Sequence, residues 1–392
     1  MVATDSASSR YKAARVGSTA TTIFAEMSAL ALATNSVNLG QGFPDYDGPA
    51  FMLETAERAI ATGINQYPPG RGIAELRRAV VGHARRHYGL DYDPDREVII
   101  TTGATEALAA AILAFVDPGD EVVALEPFYD SYAASVALAG GRIVGVGVFG
   151  PDFTLDTEEL RRAVTRRTKM ILVNSPHNPT GAVLGRAELA TIAELAVEHD
   201  LLVVCDEVYE HLTFDGVEHL PLAGFPGMRE RTIRISSSGK TFSATGWKIG
   251  WALGPAQLIT ELTAVKQFLT YVSGAPFQPA IARALDDGDA WVAEARHELQ
   301  GKRDRLAAGL RSVGLEPAMP RGTYFMTTDV RQLGYQDGVE FCRDLPRRCG
   351  VVAIPHQVFY ARAEAGRPYV RWAFCKSDPV LDEAIHRLRK LL

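Results

Sequence analysis

The stretch Ile235–Trp251, ISSSGKTFSATGWKIGW, carries two lysines, Lys240 and Lys248, among the hydroxyls of Ser236, Ser237, Ser238 and Thr241. A single lysine is ordinarily a solvated surface charge. One set in a turn of small residues between two apolar runs is harder to solvate. Burial disfavours its ammonium form, and a neutral amine condenses with an aldehyde to a Schiff base. An aldehyde cofactor with a phosphate tail would want hydroxyls and a second cation nearby, and Ser237 and Lys248 fit. Three other patches suit the same ligand. Gly103-Ala104-Thr105 lies between a β-rich run and a helical pattern, where free N–H groups and the helix dipole attract phosphate. Asp206, in Cys205-Asp206-Glu207-Val208-Tyr209, follows an apolar run. A carboxylate there can face a heterocyclic nitrogen and keep it protonated, which makes the ring an electron sink. Its plainer role is a cap on the next segment. Asn174-Ser-Pro-His-Asn178-Pro-Thr-Gly181 closes another run and, taken alone, is an Asn-Pro turn.

These patches all stand at the carboxyl ends of expected strands. Strands are expected at Glu97–Thr102, Glu121–Leu125, Lys169–Asn174, Leu201–Cys205, Thr232–Ile235 and Ile249–Leu253, with helices over Ala104–Val116, Tyr129–Leu138 and Arg186–Glu198. Strands apolar at nearly every position and separated by helices imply a mainly parallel sheet covered on both faces. Such α/β sheets bind ligands beyond the carboxyl ends of their strands. The pattern changes after Ala282: a long helix over Asp289–Val313, strands at Tyr324–Thr328, Val351–Ile354 and Tyr369–Phe374, and a closing helix over Asp378–Leu391 form a smaller α/β unit. The expected division is an N-terminal segment 1–47 packing with the small domain, a large ligand-binding domain 48–285 and a small domain 286–392. The first segment shows one amphipathic helix and no strand series.

Composition narrows the function class. The chain has 392 residues, 47% hydrophobic and 22% charged, within ordinary globular usage. Its net charge of −6 argues against a protein that neutralises nucleic-acid backbones. Four irregularly spaced cysteines, Cys205, Cys342, Cys349 and Cys375, make neither a disulfide scaffold nor a zinc site. No apolar run approaches the roughly 18 residues of a membrane helix, and polar Met1–Arg10 lacks a secretory pattern. A reducing, cytoplasmic setting is expected, without membrane or nucleic-acid partners.

Several motifs fail on one residue each. Gly145-Val-Gly147-Val-Phe-Gly150 matches a dinucleotide fingerprint, but Pro151-Asp152-Phe153 follows where a helix should start, so a glycine-rich strand end is expected. Gly239-Lys240-Thr241 would end a P-loop if position 234 were glycine, but it is Arg234. Ile235-Ser-Ser237-Ser-Gly239 lacks the first glycine of a nucleophile elbow. His83 and His87 share a helix face, but Ala84 stands where a metalloprotease carries glutamate. They are expected to be solvated surface histidines, and no metal site is expected.

Taken together, SSSGKTFSATGWKIGW, HNPTG, DEVYE, NLGQGFPD and YVRWAFCK resemble the pyridoxal-phosphate (PLP) aminotransferases of fold type I, class I/II, nearest the kynurenine/glutamine transaminase K branch. The resemblance runs from about Phe24 to the C-terminus, with five motifs in order. EPFYDSY, NSPHNPTGAVL, EHLPLAGFPGM and SGAPFQPA add a narrower similarity to N-succinyldiaminopimelate aminotransferases of lysine biosynthesis. The resemblance implies a seven-stranded-type large-domain sheet. It implies that Lys240 carries the cofactor as a Schiff base, that Asp206 partners the pyridine nitrogen, and that Tyr209 and Asn178 bond the ring's phenolic oxygen. Phe128 would stack on the ring, although such a residue is more often plain core. Gly103, Ala104, Thr105, Ser237 and Lys248 would hold the phosphate, joined by Tyr67 of a second subunit in a homodimer. Arg371 would clamp the substrate α-carboxylate with its planar fork, beside Gly42.

Two departures bear on substrate. Lys248 stands where some relatives use arginine, and Phe24 where kynurenine transaminases tend to carry tryptophan over the substrate side chain. The stretch Phe359–Pro368 is expected to border the side-chain pocket. There Arg362 and Arg367 either meet a distal carboxylate or belong to a solvated loop. The implied reaction moves an amino group from an L-amino acid to a 2-oxo acid such as 2-oxoglutarate. A cysteine-conjugate β-lyase would use the same lysine and aspartate. A non-catalytic regulator on this fold would carry an added DNA-binding module, and no basic stretch of that kind is present.

Overall fold

The computed structural model describes residues 13, 15, 22–150 and 152–392; the polar Met1–Arg10 stretch and Pro151 lie outside them. Eight strands form one sheet in the spatial order Val98–Thr102, Ile249–Leu253, Thr232–Ser237, Leu202–Asp206, Thr168–Asn174, Glu121–Glu126, Arg142–Phe149 and Thr154–Leu155. The strands from Thr232–Ser237 across to Arg142–Phe149 pair in parallel. Seven strands correspond to the expected sheet, with Arg142–Phe149 taking up the glycine-rich run as a full strand. The eighth is a two-residue antiparallel edge whose brevity hides it from any periodicity.

Both faces are covered, and the pleat explains the unbroken apolar runs. Met170 and Leu172 point to one face with Ala107, Leu108 and Ile112 of the helix Gly103–Phe115, and with Ile259 and Leu262 of the helix Ala256–Leu269. Their neighbours Ile171 and Val173 point to the other, against Leu189, Ile192 and Ala196 of the helix Arg186–Glu198. Alternate residues thus feed opposite cores, so every position must be apolar. Removing one such side chain, as in Leu172→Ala, would cost roughly 2–5 kcal/mol.

A second sheet of four antiparallel strands runs Pro317–Ala318, Phe325–Asp329, Tyr369–Ala373, Ile354–Pro355. Its core includes Phe341, Leu345, Trp372 and Leu381, together with Met27 and Ala31 of the helix Ile23–Ala33 and Leu39. The expected strand Val351–Ile354 is two pieces. Val351–Val352 pairs in parallel with Val37–Asn38, and Ile354–Pro355 joins the four-stranded sheet. The chain turns between sheets at Ala353, which an apolar run of four conceals. The N-terminal segment therefore does contribute a short strand.

The histidine expectation needs correcting. His83 is buried, 5% exposed, on the inward face of the helix Ala74–Tyr88, and its Nε2 lies 2.6 Å from Nε2 of His211. Burial pushes the pKa of His83 far down and that of His211 to about 4. His87, one turn further on, is exposed.

Candidate active site

The carboxyl ends of the parallel strands converge on a cavity of about 340 Å³. Strand direction decides which residues arrive there. Thr102 leads into Gly103, Asn174 leads to Asn178, Asp206 ends its strand, and Ser237 leads into the single helical turn Ser238–Thr241 that carries Lys240. Ile249–Leu253 runs antiparallel to both neighbours. Its amino end therefore lies at the same edge and delivers Lys248. Lys240, Asp206, Tyr209, Asn178, Arg371, Ser237, Lys248, Gly103, Ala104, Thr105, Gly42 and Phe24 all line this cavity, as expected from sequence.

Lys240 and Asp206 both line this cavity. Lys240 Nζ donates to the hydroxyl of Tyr324 at 2.7 Å and lies 3.4 Å from the carbonyl of Gly42. Burial, with the cations of Arg371 and Lys248 nearby, lowers its pKa to about 8. A sizeable fraction of the amine is therefore neutral near physiological pH. Asp206 is 5% exposed; it accepts from the Tyr132 hydroxyl at 2.6 Å and from the Val208 N–H at 3.3 Å. Burial raises its pKa to about 6, against the pull of those two donors. An anion held at that desolvation cost is one waiting for a cationic partner.

Arg371 sits in the middle of the strand Tyr369–Ala373, opposite Thr327, and is 3% exposed. Its guanidinium lies 3.9 Å from the ring centre of Phe325 and donates to Asn178 Oδ1 at 3.1 Å and to the Gly40 carbonyl at 2.9 Å. These contacts fix the plane of the fork. The buried Nε has no hydrogen-bond partner, and Arg371 lines the cavity. Burial lowers even this pKa, to about 10.

At the other end Gly103 and Lys248 are both in the left-handed region, φ +72° and +56°. A Cβ on Gly103 would stand 3.2 Å from Lys248 Nζ, so glycine lets the cation lie against the start of the helix Gly103–Phe115. The first N–H groups of that helix have no intrahelical partner. With the Ser237 hydroxyl they make an anion cradle.

One expectation comes out differently, and three further residues lie outside this chain's own cavity. Phe128 does not line the cavity; it is buried in the sheet core, and Tyr129 and Tyr132 of the same EPFYDSY run face the cavity instead. The helix Asp130–Ala139 begins just after Tyr129, and that turn rotates the neighbouring ring into place. Tyr67 is 81% exposed and packs against Tyr271, away from this chain's own cavity. Arg362 and Arg367 do not line the cavity either. They face Glu159 at 3.6 Å and Glu364 at 3.3 Å, so the solvated-loop alternative holds for both. Sequence reading missed Tyr324, Phe325 and Tyr132. Tyr132, three residues beyond Tyr129, could have been found from its helical spacing; nothing local marks Tyr324.

The chain matches the family model "Aminotransferase class I and II" over residues 34–388. It is 58% identical over 382 residues to a "probable N-succinyldiaminopimelate aminotransferase" of Mycobacterium tuberculosis, covering 95% of this chain and 96% of that one. The solved structure of N-succinyldiaminopimelate aminotransferase from that organism superposes with a TM-score of 0.95, at 58% identity, over 97% of this chain and 100% of the other. A methionine aminotransferase of Escherichia coli is 40% identical, over 95% and 96% of the two chains. A kynurenine–oxoglutarate transaminase of Rattus norvegicus is more distant, 38% identical over 92% and 86%. A buried amine, a buried carboxylate and a clamped guanidinium around one cavity, on this sheet and with these relatives, place the chain in the class I and II aminotransferases, enzymes that transfer amino groups.

Proposed function

We propose that this chain is a PLP-dependent aminotransferase that takes an amino group from N-succinyl-L,L-diaminopimelate and passes it to a 2-oxo acid, 2-oxoglutarate in the first instance. The observation that carries the reading is the Lys240 amine, its pKa brought down to about 8, in one cavity with Asp206 and Arg371. The residues fit the cofactor. The unpaired buried Nε of Arg371, the costly anion of Asp206 and the cradle at Gly103 each want a charged or polar partner. When bound, PLP supplies an aldehyde that condenses with amines and a ring that draws electrons from the carbon beside that nitrogen. Ser237, Lys248 and the amides of Gly103–Thr105 would hold its phosphate, Asp206 its ring nitrogen, and Tyr209 and Asn178 its phenolic oxygen. Tyr129 takes the flanking place that the sequence suggests for Phe128.

The protein's own part follows from its geometry. Arg371 binds the substrate α-carboxylate through the donors that Asn178 and Gly40 leave free. Phe325 keeps that fork from rotating. The Lys240 amine would take the proton from the substrate Cα onto Nζ, a task suited to a pKa near ambient pH. Tyr324 and the Gly42 carbonyl hold Nζ at the cavity floor meanwhile. Asp206 would stay ionised if a cationic ring nitrogen were held beside it, a partner that would offset its desolvation.

The diaminopimelate substrate rests on the high identity to the M. tuberculosis enzyme and on Phe24 in place of tryptophan. We infer a division into 1–47, 48–285 and 286–392, the first segment packing with the last through Met27 and Leu39. We also infer a homodimer in which Tyr67 reaches the partner's phosphate cradle, and a reducing cytoplasmic setting, consistent with four free, buried cysteines. The test is a panel of amino donors against the PLP-loaded enzyme with 2-oxoglutarate. The reading expects N-succinyl-L,L-diaminopimelate to give the highest kcat/KM; kynurenine or methionine surpassing it would overturn the substrate, and pyruvate release from a cysteine conjugate without 2-oxo acid would point to β-elimination.

A further inference from the structure

Five of the nine histidines, His83, His87, His211, His219 and His297, gather outside the catalytic cavity, four of them lining a separate cleft of about 630 Å³. Three of them make a triangle. The ring centres of His83, His87 and His211 are 4.6, 4.8 and 4.9 Å apart, and one nitrogen from each lies within 4.8 Å of the other two. His83 and His87 stand one turn apart on the helix Ala74–Tyr88, so their side chains project from the same face. His211 reaches them from the turn after Tyr209.

Nε2 of His83 and Nε2 of His211 share a hydrogen bond at 2.6 Å, with the two rings at 75° to each other, so each ring turns a nitrogen toward the other. His87 has its Nε2 on Asp289 Oδ1 at 3.1 Å, at the first residue of the helix Asp289–Arg311, which leaves Nδ1 as the free nitrogen. A carboxylate on the outer nitrogen of an imidazole is the usual second tie of a metal-bound histidine.

We propose that His83, His87 and His211 bind one divalent transition metal of the zinc type, clasping the helix Ala74–Tyr88 to the segment that carries Asp206 and Tyr209. Three imidazoles without a carboxylate select zinc, nickel, cobalt or copper over magnesium and calcium. His87 and His211 line the adjoining cleft, which gives a path of entry. Ligand nitrogens about 2.0–2.1 Å from a tetrahedral zinc stand about 3.3 Å from one another, so the 2.6 Å pair His83 and His211 must part by about 0.7 Å and the widest pair, within 4.8 Å, must close by up to about 1.5 Å. His211, on a turn, is the ring free to move. Sequence reading dismissed His83 and His87 for want of a glutamate between them; the third ligand comes from 124 positions beyond His87.

The test uses the full-length, cofactor-loaded protein passed over a chelating resin and titrated with zinc chloride alone, with metal content and thermal midpoint as readouts. The proposal expects one zinc per chain and a raised midpoint, because a ligand that binds only the folded state stabilises it. His87→Gln, at an exposed ring, should keep the fold and lose zinc affinity at least tenfold. Asp289→Asn should weaken it about 10–100-fold. Failure of the wild type to take up zinc, nickel or cobalt would overturn the proposal. So would uptake unchanged in both His87→Gln and His211→Asn, which would put the metal elsewhere.

Discussion

Lys240 and Asp206 meet opposite burial costs in one cavity: the amine is pushed toward neutrality at about 8, the carboxyl up to about 6. For the amine the sign is definite. Between pH 8 and its unperturbed 10.5 the folded apo-protein binds less proton than the unfolded chain, so Lys240 makes stability rise with pH across that window. The same shift predicts that carbonyl uptake by apo-protein rises with pH and levels off above about 8. Stopped-flow uptake that keeps rising past pH 10 would mean an ordinary solvated lysine. Arg371→Lys keeps the charge but loses the fork, and kcat/KM should fall roughly 10²–10³-fold, about 3–4 kcal/mol of lost binding. Both residues were legible because motif strings carry their type and order. Tyr324 was not, because the lysine it contacts lies 84 residues away and no local pattern records such a pairing.

The strand Ile249–Leu253 shows why elements matter as much as side chains. Its reversed direction brings Lys248 to the edge where the parallel strands end, and its backbone runs against the start of the helix Gly103–Phe115. A Cβ on Gly250 would fall 2.5 Å from the Gly103 carbonyl carbon and 2.7 Å from the Ala104 nitrogen. Gly250→Ala should therefore push the helix start away, cost about 1–3 kcal/mol, and weaken cofactor binding while leaving the fold intact. Denaturant melts and a PLP titration measure both. The helices Gly103–Phe115, Asp130–Ala139, Arg186–Glu198, Asp289–Arg311 and Asp378–Leu388 and most strands of five residues or more were readable from apolar runs and 3.6-residue spacing. The helices Ala50–Ala61, Ala256–Leu269, Phe277–Asp287 and Gly338–Cys349 were not read. The reversed direction of Ile249–Leu253, the two-residue strands and the change of sheet at Ala353 were not readable either, since each is set by partners remote in sequence.

At the scale of the whole molecule, Tyr67, Phe268 and Tyr271 leave an aromatic patch 81%, 84% and 54% exposed. An exposed aromatic patch of this size marks an association surface. Sedimentation should find a dimer, and Tyr67→Ala should lower PLP affinity while Lys240 still reacts; a monomer with wild-type affinity would refute the shared site. The two-sheet architecture was foreseeable because each half carries its own hydrophobic periodicity. The meeting of Arg371 from one sheet with Asn178, in the loop beyond a strand of the other, was not, as it depends on how the two sheets pack. The central claim, that one amine holds the cofactor, is tested most directly by reducing the PLP-loaded protein with borohydride, digesting it and locating the added mass. The account predicts a single modified peptide with the label on Lys240; a label on Lys248 or another lysine, or none at all, would contradict it.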